Sequence, residues 1–174
     1  YYSMFGFQRV GDLAWAAGDM HARGFLLGGT AGRTTLNGEG LQHEDGHSHI
    51  MSLTIPNCVS YDPSFAHEVG VILHEGLLRM VERQENVYYY VTVMNENYAH
   101  PGLRQGDEEV IIRGMYLLHE GAPAAEGSKA AQVDAKAPRV QLMGSGVILR
   151  EVIEAARLLK EDWGIESDIW STTS

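Results

Sequence analysis

The amino-acid sequence predicts an α/β protein that is built on a parallel sheet and is followed by the start of a second α/β unit. Two observations predict this fold class. A strand, an amphipathic helix and another strand follow one another between residues 57 and 94, and a strand–helix–strand pattern recurs between residues 140 and 171. Strands that alternate with single helices pair in parallel, because each helix returns the chain to the same end of the sheet.

The first unit contains three predicted strands and one predicted helix. Residues 25–27 form a short apolar run closed by two glycines, which is typical of a buried strand that leads into a loop. Residues 57–61 predict a second strand, and Pro63 then suits the first turn of a helix, because that turn does not use its N–H. Residues 87–94, rich in β-branched and aromatic side chains, are the clearest strand. The helix between these strands has Gly70 and Gly76 as weak points, and its apolar stripe has spacings of three and four: Phe65, Val69, Ile72, Leu73, Leu77 and Met80.

The second unit is less complete. Residues 108–119 fit either a helix or a strand, and residues 121–138 have the Ala-, Gly-, Lys- and Pro-rich composition of a mobile surface loop. Residues 140–144 predict a strand, residues 147–163 a helix that ends at Gly164, and residues 168–171 the beginning of another strand. The predicted boundaries are 1–103 for the first unit, 104–138 for a connecting segment with the mobile loop, and 139–174 for the second unit.

Composition excludes several classes of protein. The 174 residues carry 23 acidic and 13 basic side chains, and the net charge of −10 argues against binding to a nucleic-acid backbone. No apolar run approaches the roughly 20 residues that cross a bilayer, so no membrane span is predicted. The single cysteine, Cys58, excludes an internal disulfide and is expected to be a small buried residue. The chain starts with Tyr and its last residues predict a strand that stops, so we expect an internal piece of a longer protein.

Polar chemistry is concentrated in the histidine-rich segment, residues 37–49, which holds three histidines and three carboxylates among glycines. Three interpretations stay open from these residues alone. His43 and His47 are four apart, as in zinc-binding pairs on a helix, although Gly46 between them disfavours a regular helix. Histidines in a loop that brings its backbone close to a ligand also suit acid–base chemistry. The third interpretation is a polar loop whose histidines are only hydrogen-bonded.

Longer strings resemble a known family. They are YYSMFGFQR at residues 1–9, GGTAGRTTLNGEGLQHEDGHS at residues 28–48, YDP at 61–63, and YYY at 88–90 with NENY at 95–98. In these strings the chain resembles the bacterial homodimeric-type pyruvate dehydrogenase E1 component, a thiamine-diphosphate-dependent family of the transketolase-like group. The resemblance implies that residues 1–103 are the later part of a pyrimidine-binding (thiamine-diphosphate-binding) domain. It also implies that residues 139–174 begin a domain like the transketolase C-terminal domain.

The resemblance implies roles for four residues. Phe5, which residue type alone would place in the core, matches the aromatic residue that stacks on the aminopyrimidine ring of the cofactor. Tyr2, Glu39 and His43 match polar positions that face the thiazolium and the substrate, and they are therefore the catalytic candidates. The imidazole of His43 is expected to hydrogen-bond the carboxylate or carbonyl oxygen of reacting pyruvate as charge develops there.

The implied activity is the oxidative decarboxylation of pyruvate, with reductive transfer of the acetyl group to the lipoyl domain of the E2 acetyltransferase. The implied cofactors are thiamine diphosphate and Mg²⁺, whose diphosphate and metal ligands are expected outside this chain. The family is expected to work as a cytoplasmic homodimer with its active site between subunits, so these residues alone are expected to be inactive. His47 and His49 are expected to be structural. The alternative is a non-catalytic interaction or assembly module on the same scaffold.

Overall fold

The computed structural model describes residues 3–29, 47–94, 96–121 and 139–174, and of residues 3–6 and 8 it describes the backbone only. The first unit comprises α1 (Ser3–Asp19), β1 (Phe25–Gly28), α2 (Ser48–Ser52), β2 (Cys58–Tyr61), α3 (Ala66–Leu77) and β3 (Tyr88–Thr92). A π-helical turn, Leu78–Glu82, extends α3. The second unit comprises α4 (Asp107–Ile112), β4 (Met115–His119), β5 (Arg139–Gly144), α5 (Ile148–Trp163) and β6 (Glu166–Thr172).

The first sheet is parallel and has the strand order β1-β3-β2. This confirms the predicted βαβ unit, in which α3 connects β2 to β3. β3 lies in the centre and all five of its residues are buried, which explains why its sequence lacks polar–apolar alternation. In the register, Tyr90 of β3 lies between Leu26 of β1 and Ser60 of β2.

Helices cover both faces of this sheet. On one face α1 and α2 pack on the strands through a cluster that includes Phe7, Ala14, Ile55, Cys58, Tyr88 and Tyr90. On the other face α3 and α4 pack through a cluster that includes Tyr61, Ile72, Met80, Tyr89, Val91, Ile111 and Tyr116. Burial raises the pKa of the Cys58 thiol to about 11, and the predicted interior position of this cysteine is confirmed.

Two features of the helices differ from the sequence analysis. α1 has no predicted counterpart, and its backbone is kinked at Val10, where φ is −124°. Gly76 was expected only to weaken α3, but a Cβ at this position would lie 2.6 Å from the ring carbon Cε1 of Phe25. The glycine therefore allows α3 to pack closely on β1.

The second sheet has the order β4-β6-β5, with β4 antiparallel and β5 parallel to β6. Residues 108–119, which the sequence left undecided, form α4 and then β4. β4 was placed in the connecting segment by the sequence, but it pairs with β6 and is part of the second sheet; the domain boundaries themselves stay predictions. Gly164 ends α5 in the left-handed conformation (φ 66°), as predicted. Most of the predicted mobile loop, residues 122–138, lies outside the described residues.

No helix in the described part of the chain is both long enough and apolar enough to span a bilayer.

A buried carboxylate joins the two units. Glu68, in the first turn of α3, has no exposed surface. Its Oε2 accepts hydrogen bonds from the backbone N–H groups of Ser64 (2.5 Å) and Phe65 (2.9 Å), and its Oε1 accepts from the hydroxyls of Tyr116 in β4 (2.7 Å) and Ser171 in β6 (2.6 Å). Burial, together with this carboxylate, raises the pKa of Tyr116 well above its usual value, so its hydroxyl remains a donor. Four converging donors satisfy the condition for burying a carboxylate inside a protein.

Candidate active site

The carboxyl ends of β1, β3 and β2 meet at one edge of the first sheet, which we call the carboxyl edge. In open α/β sheets, ligands bind in the crevice outside the carboxyl ends of the strands. The chain leaves this edge after Gly28 of β1 and is described again from His47, immediately before α2. The histidine-rich segment therefore follows β1 in the chain. Its C-terminal residues, Ser48 and His49, belong to α2, which attaches this end of the segment to the carboxyl edge.

The residues that the sequence analysis proposed for catalysis lie outside the described parts of the chain. Tyr2 precedes the first described residue, and Glu39 and His43 lie in the gap between residues 29 and 47. The backbone of Phe5 belongs to α1, two residues before the buried Phe7, but its side chain is outside the description. Their roles therefore stay predictions.

Of the three histidines in the histidine-rich segment, His47 and His49 are described. The Nδ1 atom of His49 lies 2.7 Å from the hydroxyl of Ser60, and its ring centroid lies 5.1 Å from that of Tyr90. Its Nε2 atom lies 3.7 Å from Oδ1 of Asp62. In the residues that the structure describes, no three His, Cys, Asp or Glu side chains cluster closely enough to hold a metal ion. The zinc interpretation of the sequence also needs His43, which lies outside those residues.

Asp62, directly after β2, connects the carboxyl edge to the second unit. Its Oδ1 accepts a hydrogen bond from the hydroxyl of Thr92 at the end of β3 (2.5 Å), and its Oδ2 accepts one from the hydroxyl of Ser145 (2.8 Å). Its backbone N–H donates to the carbonyl of Thr173 (2.7 Å), and its carbonyl accepts from the N–H of Gly146 (3.0 Å). Gly146 has φ 49°, and a Cβ there would lie 2.6 Å from Oδ1 of Asp62, so both the turn and the contact require glycine. The sequence analysis included Asp62 only in the YDP string of the family resemblance and missed this junction.

Three backbone N–H groups at the N-terminus of α3, which also lies at the carboxyl edge, already have acceptors. The N–H groups of Ser64 and Phe65 donate to Glu68, and the N–H of Ala66 donates to Nδ1 of His100 at 3.1 Å. Helix N-termini bind phosphates through such N–H groups when these are open to a ligand. At the start of α3 these three amides already donate to other groups, and the nearest charged group is the carboxylate of Glu68. This helix therefore does not suit the negatively charged diphosphate of a cofactor.

The connection between the units closes over the carboxyl end of β3. A cavity of about 350 Å³ lies there and is lined by residues that include Ser64, Thr92, Asn97 and Tyr98. The hydroxyl of Tyr98 donates to the carbonyl of Ser64, and the guanidinium of Arg150 in α5 lies 4.5 Å from the Tyr98 ring centroid. Residues 95–98 entered the sequence analysis only through a family resemblance, and the structure shows that Tyr98 packs between the two units.

Comparisons with known proteins cover the whole chain. A family model described as the pyruvate dehydrogenase E1 component middle domain matches residues 1–101, and one described as the transketolase-like C-terminal domain matches residues 114–174. Proteins named pyruvate dehydrogenase E1 component from Cupriavidus necator and Escherichia coli K12 are 62% identical over 174 residues and 63% identical over 175 residues. Each alignment includes 100% of this chain and 18% of the relative, so the chain spans less than a fifth of the length of these relatives.

Transketolases are among the solved structures with the same fold. The enzyme from Campylobacter jejuni matches with a TM-score of 0.65 and 17% identity over 99% of this chain and 23% of its own. A transketolase mutant from Pichia stipitis matches with a TM-score of 0.69 and 14% identity over 99% of this chain and 22% of its own. These likenesses show the fold alone. Because the middle-domain model matches more than half of the sequence, the chain belongs to the pyruvate dehydrogenase E1 component family.

Proposed function

We propose that this chain forms part of an enzyme that oxidatively decarboxylates pyruvate and transfers the acetyl group reductively to a lipoyl group on an E2 acetyltransferase. The observation that carries the proposal is the identity of 56–63% between the whole chain and proteins named pyruvate dehydrogenase E1 component. The carboxyl edge of the first sheet supports it, because the histidine-rich segment with its catalytic candidates is anchored there through α2.

The side chains that this chain offers fit the rings of thiamine diphosphate better than its diphosphate. An aromatic ring (Phe5), a phenol (Tyr2), a carboxylate (Glu39) and an imidazole (His43) suit a flat heterocycle and a cationic thiazolium. The occupied N-terminus of α3 does not suit the diphosphate. We therefore assign Phe5 to binding of the aminopyrimidine, and we assign the diphosphate and its Mg²⁺ to polypeptide outside these residues. When bound, the cofactor supplies a carbon nucleophile and an electron sink for decarboxylation.

Within this proposal the residues of the chain bind, orient and stabilise charge. The imidazole of His43 donates a hydrogen bond to the oxygen of pyruvate that gains negative charge, which lowers the barrier most if the donor is already in place. We assign Glu39 and Tyr2 to orienting the reacting groups. Asp62 and Glu68 act at a distance, since they hold the second unit against the sheet from which the histidine-rich segment departs.

The wider setting is proposed from the family alone. The enzyme would act as a homodimer in the bacterial cytoplasm and would present its active site to the lipoyl domain of E2. No basic surface for nucleic acid is expected from a net charge of −10.

The test compares two preparations: a protein of the relatives' full length that contains this chain, called the full-length protein below, and the purified 174-residue chain. We expect the full-length protein to release labelled carbon dioxide from carboxyl-labelled pyruvate when thiamine diphosphate, Mg²⁺ and an artificial electron acceptor are present. The 174-residue chain is expected to release none, because the groups that hold the diphosphate are missing. The substrate control is 2-oxoglutarate. Release by the short chain alone, or a full-length protein that prefers 2-oxoglutarate, would contradict the proposal.

A further inference from the structure

His49 is held between two parts of the molecule in a way that simple packing does not require. It is in the first turn of α2, directly after the histidine-rich segment. One ring nitrogen, Nδ1, lies 2.7 Å from the hydroxyl of Ser60 in β2. The other, Nε2, is buried, has no hydrogen-bond partner among the described residues, and lies 3.7 Å from Oδ1 of Asp62. The ring is thus fixed at one end and directed towards a carboxylate at the other.

The chemistry of these neighbours indicates which nitrogen carries the proton. The hydroxyl of Ser52 can donate its one hydrogen either to the carbonyl of His49 or to the hydroxyl of Ser60, each 2.9 Å away, and in both cases Ser60 can donate its own hydrogen to Nδ1. Nδ1 is then the acceptor and Nε2 carries the N–H. The opposite tautomer would direct a lone pair at the carboxylate of Asp62, which is repulsive. The favoured arrangement therefore directs an N–H at a charged acceptor that is slightly beyond hydrogen-bond distance.

Through Asp62, the contact of His49 reaches both the end of β3 and the second unit. The same carboxylate accepts hydrogen bonds from Thr92 at the end of β3 and from Ser145 in the second unit. We propose that His49 is a positioning residue. It fixes the position of the end of the histidine-rich segment relative to Asp62, and thereby relative to the second unit. The inference rests on the proposed function in so far as that segment carries His43. The contact itself does not depend on the catalytic chemistry.

Substitutions at His49 can test the contacts of its two ring nitrogens separately. In His49→Asn the amide reaches the position of Nδ1 and keeps the contact with Ser60, whereas in His49→Gln the amide reaches the position of Nε2 and keeps the contact with Asp62. We expect His49→Asn and His49→Ala to lower kcat for pyruvate decarboxylation by the full-length protein about 10- to 100-fold, since small misplacements of a catalytic group have effects of this size. KM for pyruvate should stay within about twofold, and His49→Gln should keep at least about a third of kcat.

A second measurement does not depend on activity. Hydrogen exchange of the backbone amides of residues 40–52 in the full-length protein is expected to quicken in His49→Asn and His49→Ala but not in His49→Gln. His74→Gln, on α3 and lining a different surface groove, is the control and should change neither measurement. Equal exchange in all variants, or equal losses in His49→Asn and His49→Gln, would show a histidine that only fills space and would overturn the proposal. If the parent protein does not decarboxylate pyruvate, the proposed function fails while the exchange data still decide the role of His49.

Discussion

Replacing Glu68 with alanine is expected to lower the free energy of unfolding by about 3–4 kcal/mol, because four buried donors lose their acceptor at once. Two of these donors are backbone N–H groups at the start of α3, and two are the hydroxyls of Tyr116 and Ser171 in the second sheet. The substitution therefore removes the cap of α3 and the link between the units together. Urea-induced unfolding of the 174-residue chain, followed by circular dichroism, measures the change.

Glu68→Gln is the matched variant. Its amide oxygen can face the two backbone N–H groups, while its amide nitrogen donates to the hydroxyls of Tyr116 and Ser171, which can rotate to accept. The network then stays complete, so we expect a loss of only about 1 kcal/mol. Two results would show that the carboxylate does not join the units as described. One is a free energy of unfolding for Glu68→Ala within about 1 kcal/mol of the parent's, and the other is a Glu68→Gln variant as unstable as Glu68→Ala.

Replacing His43 with alanine in the full-length protein is expected to reduce kcat for pyruvate decarboxylation by about 10²- to 10³-fold. The reason is that a hydrogen-bond donor aimed at developing negative charge stabilises the transition state more than the bound substrate. Steady-state release of carbon dioxide at saturating pyruvate measures kcat, and thermal unfolding of the same samples shows whether the fold is retained.

The control for this substitution is His119→Ala, an exposed histidine at the end of β4, which should leave kcat unchanged. An unchanged kcat in His43→Ala would remove this residue from the mechanism. A loss of kcat accompanied by a lower melting temperature would instead assign it a structural role.

The parts of the fold that sequence predicts well are those with strong local patterns. The helix α3 and the β-branched, aromatic strand β3 are both found where predicted. The predicted apolar stripe of α3 is only partly correct, because Leu77 is 51% exposed whereas Glu68 and Gly76 are buried. α1 was missed because three glycines and a kink at Val10 interrupt its helical pattern. Residues 108–119 could not be decided because a short helix and a short strand lie within twelve residues, and Gly114, with φ 100°, makes the turn between them.

The junction between the units could not be predicted in this way. Glu68 lies 48 residues from Tyr116 and 103 residues from Ser171, and no periodicity reports contacts over such separations. Asp168 is similar: a carboxylate within a strand looks exposed from sequence, but Arg139 on the neighbouring strand pairs with it and holds its pKa well below the usual range. The candidate site residues came from family resemblance rather than from physical pattern, since the histidine-rich segment alone fits three kinds of site.

Phe5 in α1 and His43 in the histidine-rich segment are expected to reach the same thiamine cofactor. The most direct measurement is a crystal structure of the full-length protein with thiamine diphosphate bound. We expect the Phe5 ring to stack on the aminopyrimidine and the His43 imidazole to face the thiazolium across the same cleft. A structure in which Phe5 and His43 lie on separate faces, with no cleft between them, would contradict it.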